Sequence, residues 1–590
     1  ARLLTLGLLL CLGACSAPPS ADPAPGDSST TWFVDVPGEG AYWLGPEVLG
    51  EMGIDVSASR APVLRLSWAE EAVPFLTQRV GEGWGVLFYA PDRSPRTSRL
   101  TAIRLERGAE GQAMARPLPG SGPPAAEGAP CGAGFVTLGR EEDRRYLPQG
   151  EAPTPWYWQP LRTPGSLTET VTLTSAVAGP VTVTVDLRSH TAAAADPDHQ
   201  LDLGWDGETV GSWTWDGQGQ RQLTAAFSLA SDPAENHQMT LEAPALPGAE
   251  IGLVWLDGWV VSYRRPVVAD GSVWRAESRG LLVEDAGPEA RVLDVTDPLA
   301  PMDVGPVEAG DCVRTVPGHR YWVGVPMETR GPVTVRPAVT FDLEAVQEVR
   351  YLVLAPKAFH AALQPLLENR VGEGLTAAAL EPQAVYDVLG AGQPEPEAIQ
   401  TLVRQLPDVR YLLLVGDGTA EPDGSDGEAG ALRVVVPFTR TATLGEAPAD
   451  ALLGTDGEGR PTVAVGRFPV SSEEEVRAMV EKTIRWESES KGVQPVVVSD
   501  DEAAFGEMAD EIAALLPGTA AAKRVSAGEE ESRAALLGAL KGGRVWLNFT
   551  GHGSLTRLCD EGLLTVEDGE AWRDPALVVA WSCLAAHYVH

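Results

Sequence analysis

The sequence predicts a multidomain protein, with N-terminal all-β regions of sandwich or jelly-roll type followed by an α/β region. Three observations predict it. Through roughly 31–340, apolar and polar residues alternate in short runs broken by turn signals such as Asp206-Gly207, Asp216-Gly217 and Asp270-Gly271. From about Val346 the pattern changes to short apolar runs separated by helical stretches, as in a largely parallel sheet with both faces covered. The third is length: 590 residues exceed one core at about 100–200 residues per domain.

Composition narrows the function classes. With 44% hydrophobic and 22% charged residues, wholesale disorder is excluded. The excess of 82 acidic over 45 basic residues, a net charge of −37, argues against nucleic acid as a partner, because phosphate binding needs a basic surface. Six cysteines exclude a disulfide-built scaffold.

Residues 1–14, with Arg2 before a leucine-rich run, read as a secretory signal peptide whose apolar core is too short to span a bilayer. The run ends in Leu12-Gly13-Ala14-Cys15, similar to a bacterial lipobox, which makes Cys15 the expected lipidation site. Residues 15–30 are then a lipidated cysteine and a flexible Pro/Ser/Ala-rich linker. The expectation is an exported protein, in the cell envelope or outside it, that touches a membrane through its lipid anchor only.

Residues 31–150 form a β-rich N-terminal region, with strand-like runs at Val63–Trp68 and Trp84–Tyr89 and a Gly/Pro/Ala-rich stretch from Gly108 to Gly134. Residues 151–344 alternate more cleanly, at Leu167–Thr174 and Val181–Leu187, and predict a sandwich or jelly roll. Trp205, Trp213 and Trp215 read as core packing or, alternatively, as platforms for sugar rings. His190, His199 and His237 lack metal-ligand spacing and read as surface or loop residues. Cys131 and Cys312 either pair in an oxidising compartment or stay free, and receive no role.

The α/β region divides at a helical stretch into a first subdomain, 345–490, and a second, 491–590. Buried strands are expected at Tyr351–Ala355, Tyr411–Val415, Val463–Gly466, Val496–Ser499, Val545–Phe549 and Leu577–Trp581. Helices are expected at Phe359–Asn369, Ser472–Glu489, Glu507–Leu516 and Glu529–Lys541. Two strand ends carry chemistry. Val545–Thr550 runs into Gly551-His552-Gly553-Ser554, and Leu577–Trp581 runs into Ser582-Cys583. His552 and Cys583 lie 31 residues apart, the span of a strand–crossover–strand unit. If the strands are neighbours, Cys583 supplies a thiolate nucleophile, His552 a general base, and the amides of Gly553 and Cys583 an oxyanion site. Cys559, in a connection that no strand feeds, reads as structural. Asp/Gly-rich stretches at Asp417–Gly430 and Asp450–Gly459 leave structural calcium open but do not match an EF-hand. No other cofactor is expected.

Asn548–Ser554 and Trp581-Ser582-Cys583 together resemble the gingipain family of cysteine peptidases, with supporting stretches at Val385–Ile399, Leu413–Asp417 and Pro461–Pro469. The resemblance covers roughly Val346 to His590. It implies a caspase-like fold of two α/β subdomains, with His552 and Cys583 catalytic and Gly553 and Cys583 as oxyanion donors. It also implies a supporting acid after Val496–Ser499, with Asp501 placed ahead of Asp500 and Glu502. Where arginine-specific gingipains carry an aspartate for the basic side chain, this chain has Phe505, so that specificity does not transfer. The family's fold continues beyond a point equivalent to His590, so the chain is expected to be a truncated form.

The expected function is therefore a cysteine endopeptidase acting on peptides or proteins through an acyl-enzyme. A sortase-like transpeptidase would use the same dyad. A non-catalytic cell-surface binding lipoprotein would place the function in residues 31–340.

Overall fold

The computed structural model describes residues 30–92, 98, 100–116, 131–147, 155–230, 233–329, 333–418, 432–441, 445–488, 492–516, 522–541, 544–571, 576–583 and 588. The expected signal peptide and Cys15 lie outside these, as does most of the 417–430 stretch. No helix among the described residues is long and apolar enough to cross a membrane.

The β signal of the middle region resolves into two facing antiparallel sheets. The larger has nine strands, centred on Gly179–Ser189 and Gly252–Arg265; the smaller has four, Gly165–Thr172, Asn236–Ala243, His199–Trp205 and Glu208–Trp215. Alternation decides which side is buried: Val181, Val183, Val185 and Leu187 meet Leu201, Leu203, Met239 and Leu241 in one core. Trp205 is buried in that core, and Trp213 and Trp215 pack against it. His199 and His237, expected on the surface, are each only 4% exposed. His199 stacks on Trp215 and holds the Thr191 carbonyl, while His237 pairs with Asp206 at 2.7 Å. These contacts come from neighbouring strands, so sequence spacing carried no sign of them.

The expected border at residue 150 does not separate the sheets. Gly134–Glu141 pairs with Gly252–Arg265 and belongs to the sandwich. Thr334–Pro337 returns to pair with Thr31–Val36. Cys131 and Cys312 are joined in a disulfide, their Cα atoms 5.9 Å apart.

The C-terminal region contains two parallel four-stranded sheets. The first orders Ala377–Leu380, Tyr351–Leu354, Tyr411–Val415 and Ala464–Phe468 side by side; the second orders Lys523–Ser526, Gln494–Ser499, Val545–Thr550 and Ala576–Trp581. Helices His360–Gly372, Glu473–Ser488, Ala503–Leu515 and Ser532–Leu540 stand close to their expected places. Ala377–Leu380 is a strand that the sequence did not suggest, because three alanines favour a helix until a parallel neighbour supplies hydrogen bonds. The strand before Cys583 is not buried as expected. It forms the sheet edge, with Leu577, Val578 and Trp581 all exposed.

Arg336 joins the β-rich region to the first α/β subdomain. Its Nη1 donates to both oxygens of Asp387, at 2.9 and 2.8 Å, and its Nε donates to Asp35 at 3.1 Å. Burial pushes the Asp35 carboxyl up, and the neighbouring guanidinium opposes that shift. Asp450, in a stretch considered for calcium, instead receives two hydrogen bonds from Arg467, and Asp456 receives Arg460.

Removing one partner of the Arg336 pair strands a buried carboxylate. Asp387 would still keep the Val339 amide and Gln383. Arg336→Met is therefore expected to cost about 2–4 kcal/mol in urea unfolding followed by tryptophan fluorescence. An unchanged midpoint would show that this pair does not hold the regions together.

Candidate active site

Both parallel sheets share one winding order. The chain lays down an inner strand, places the next on one side, then returns to the other side for the third and fourth. Where the winding reverses, the loops leaving two adjacent strands part and open a crevice at their carboxyl ends. In the second sheet this point lies between Gln494–Ser499 and Val545–Thr550, so Asp500–Glu502 adjoin Gly551–Ser554. On the other side, Thr550 stands opposite Trp581. His552 and Cys583 thus each lie two residues beyond a paired strand end, on strands about 4.8 Å apart.

The two glycines flanking His552 are needed for space. A Cβ on Gly551 would stand 2.7 Å from that of Asp500. One on Gly553 would overlap Ser582 Oγ and lie 2.6 Å from the Cys583 carbonyl oxygen. The histidine turn and the cysteine loop are therefore in direct contact. The Cys559 amide donates to the His552 carbonyl and the Ser554 amide to the Arg557 carbonyl, each at 2.9 Å. Among the described residues, the Gly553 and Cys583 amides have no hydrogen-bond acceptor.

Asp500 anchors the turn. It is 3% exposed; its Oδ2 accepts the His552 backbone N–H at 2.8 Å and its Oδ1 accepts the Asp501 N–H at 3.0 Å. The His552 ring places Nε2 3.1 Å from Glu502 Oε1, and the Phe505 ring meets it edge-on at 5.2 Å. The acid beside the imidazole is thus Glu502, whereas Asp501, placed first in the sequence reading, packs beside Gly528. The carboxylates of Asp500, Asp501 and Glu502 lie within 4.8 Å of one another, and of the three it is Glu502 that reaches the imidazole. Glu502 is extended, at φ −70° and ψ 139°, just before helix Ala503–Leu515 begins.

The two free cysteines among the described residues differ sharply. Cys583 is exposed, whereas Cys559 is buried and its thiol is pushed up to about 12 by burial.

An exposed cysteine and a carboxylate-paired histidine thus follow neighbouring strands of one parallel sheet, the histidine at its switch point, and the class the fold defines is an α/β protein. Residues 344–590 match the model of peptidase family C25. No curated protein matches the chain. Among solved structures it is similar to dimeric latent PorU from Porphyromonas gingivalis, with 17% identity and a TM-score of 0.56 over 78% of this chain and 50% of that one. The chain therefore spans about half the length of PorU, and the likeness is one of fold. Two others are more distant. The complex of RgpB pro- and mature domains from the same organism shows 19% identity and a TM-score of 0.31, over 39% of this chain and 55% of that one. The Arg-specific cysteine proteinase gingipain R shows 18% identity and a TM-score of 0.32, over 41% and 56%.

A thiol held at about 12 stays protonated throughout the neutral range and reacts negligibly as thiolate. Brief treatment of the folded protein with iodoacetamide near pH 7.5 is expected to alkylate Cys583 and spare Cys559, as read by peptide mass spectrometry. Equal labelling of both would contradict the burial of Cys559.

Proposed function

We propose that the chain is a cysteine endopeptidase that hydrolyses peptide bonds through an acyl-enzyme on Cys583. The observation that carries this reading is the common two-residue offset of His552 and Cys583 from paired strand ends, with Glu502 on the imidazole. A carboxylate accepting Nε2–H fixes the tautomer in which Nδ1 holds the lone pair. Nδ1 then takes the Cys583 proton as Sγ bonds to the substrate carbonyl carbon. The Gly553 and Cys583 amides receive the oxyanion. The carbon–nitrogen bond breaks, and the leaving amine departs with the proton from His552. Water, deprotonated by the same imidazole, then releases the new carboxylate and restores the thiol.

Asp500 acts as a positioning residue, since it holds the His552 backbone rather than its ring. Phe505 presents a ring edge where arginine-specific relatives have an acid, so this position offers no charge to a basic substrate side chain. The Cys131–Cys312 disulfide supports an oxidising, extracytoplasmic setting, consistent with export and a Cys15 lipid tether.

The assignment rests on three substitutions assayed with a peptide library. Cys583→Ala is expected to abolish hydrolysis. Glu502→Gln should lower kcat by about tenfold or more with KM little changed. Asp501→Asn should stay within about twofold of the parent. Hydrolysis surviving Cys583→Ala would sink the mechanism. A larger loss from Asp501→Asn than from Glu502→Gln would reassign the acid.

A further inference from the structure

Cys583 follows the edge strand of the second parallel sheet, and Tyr588 stands five residues further along the chain. Tyr588 is not seated on that sheet. Its ring lies on the first subdomain and on the β-rich region, and three features form its seat.

The first is Arg467, from the strand Ala464–Phe468, whose guanidinium lies 5.1 Å from the centre of the Tyr588 ring. Arg467 makes five hydrogen bonds, two to Asp450 and three to backbone carbonyls, which is its full complement of donors. A guanidinium held so completely along its edge is fixed in orientation, and its face is the surface left for an aromatic ring. The second feature is Gly418, where a Cβ would stand 2.9 Å from Tyr588 Cε2 and 2.5 Å from a methyl of Val436. Glycine makes room for the ring there. The third is an aromatic wall: Tyr588 packs with Tyr146 and Phe438 against the buried Trp156 and Val436. Tyr146 and Trp156 face each other across a two-stranded pair in the β-rich region. The Tyr588 hydroxyl is buried without a hydrogen-bond partner among the described residues, so the ring makes the attachment.

Chain length converts this seat into a constraint on the nucleophile. Five residues reach at most about 18 Å even when fully extended. Cys583 is held on one side by the strand Ala576–Trp581, paired to Val545–Thr550, and on the other by the seated Tyr588. A thiol tethered on one side only would sample a wider range of positions, and acyl transfer depends steeply on the placing of the attacking atom.

We propose that Tyr588 is a positioning residue for Cys583, and that the β-rich region helps to hold the nucleophile by walling the Tyr588 seat. The inference rests on the reading of Cys583 as the nucleophile.

The test compares Tyr588→Ala with Tyr588→Phe in the full chain. In peptide hydrolysis, Tyr588→Ala is expected to lose at least about tenfold in kcat with KM within about twofold of the parent. Tyr588→Phe keeps the ring and should stay within about twofold in both constants. Hydrogen exchange of the peptide 582–590, followed by mass spectrometry, should quicken in Tyr588→Ala and stay unchanged in Tyr588→Phe. Tyr146→Ala, from the β-rich side of the seat, should quicken exchange of the same peptide. The exchange measurements need no hydrolysis, so a parent without peptidase activity would fail the reading of Cys583 while exchange still decides the anchor. Unchanged kcat or unchanged exchange in Tyr588→Ala would overturn the proposal, as would a rise in KM alone or an equal loss in Tyr588→Phe. Faster exchange throughout the chain would overturn it too, since Tyr588 would then serve the fold at large. Unchanged exchange in Tyr146→Ala would remove the part given to the β-rich region.

Discussion

The candidate active site depends on one buried carboxylate. Asp500 leaves the Gln494–Ser499 strand and spends both oxygens on backbone amides, those of His552 and Asp501. Two strand ends are thereby tied together where the sheet's winding would otherwise let them separate. An ionised acceptor makes such bonds shorter and stronger than neutral ones, and burial raises the cost of losing them. With the His552 backbone held in this way, the imidazole is left to Glu502 and Gly553 is left to meet Ser582 and Cys583. Positioning and chemistry are thus divided between two acids of one triplet.

The rest of the chain sets this crevice in a larger frame. Arg336 and its carboxylates join the β-rich region to the first parallel sheet. Tyr588, five residues past Cys583, lies over the Arg467 guanidinium and closes on Gly418. Arg467 itself is bonded to Asp450 and to the carbonyls of Gly416, Val434 and Val435. Tyr588 thus rests on the first subdomain while Cys583 belongs to the second. Two sheets with the same winding order then present two switch points, one beside His552 and one near the unpaired carboxamide of Gln393.

The strands that carry the chemistry were legible in the sequence because they are near-continuous apolar runs ending in Gly-His-Gly-Ser and Ser-Cys. Helices His360–Gly372, Glu473–Ser488, Ala503–Leu515 and Ser532–Leu540 were legible through their period, whereas Pro382–Leu389 and Pro396–Gln405 were not expected. Ala377–Leu380 and Lys523–Ser526 were not, being short and stabilised only by a parallel neighbour. The buried histidines of the sandwich escaped for a related reason: Trp215 and Asp206 reach His199 and His237 across strands.

The order of the main strands, the α/β character of the C-terminal region and the placing of His552 and Cys583 just past strand ends follow from the sequence alone, since periodicity and strand-end motifs are local. Only the tertiary structure decided that Glu502, and not Asp501, meets the imidazole. It alone showed that Asp500 holds the turn, that Gly134–Glu141 belongs to the sandwich, and that Tyr588 lies over Arg467. Each of these depends on which residues distant in sequence become neighbours. That is set by strand register and packing, which composition and spacing do not encode.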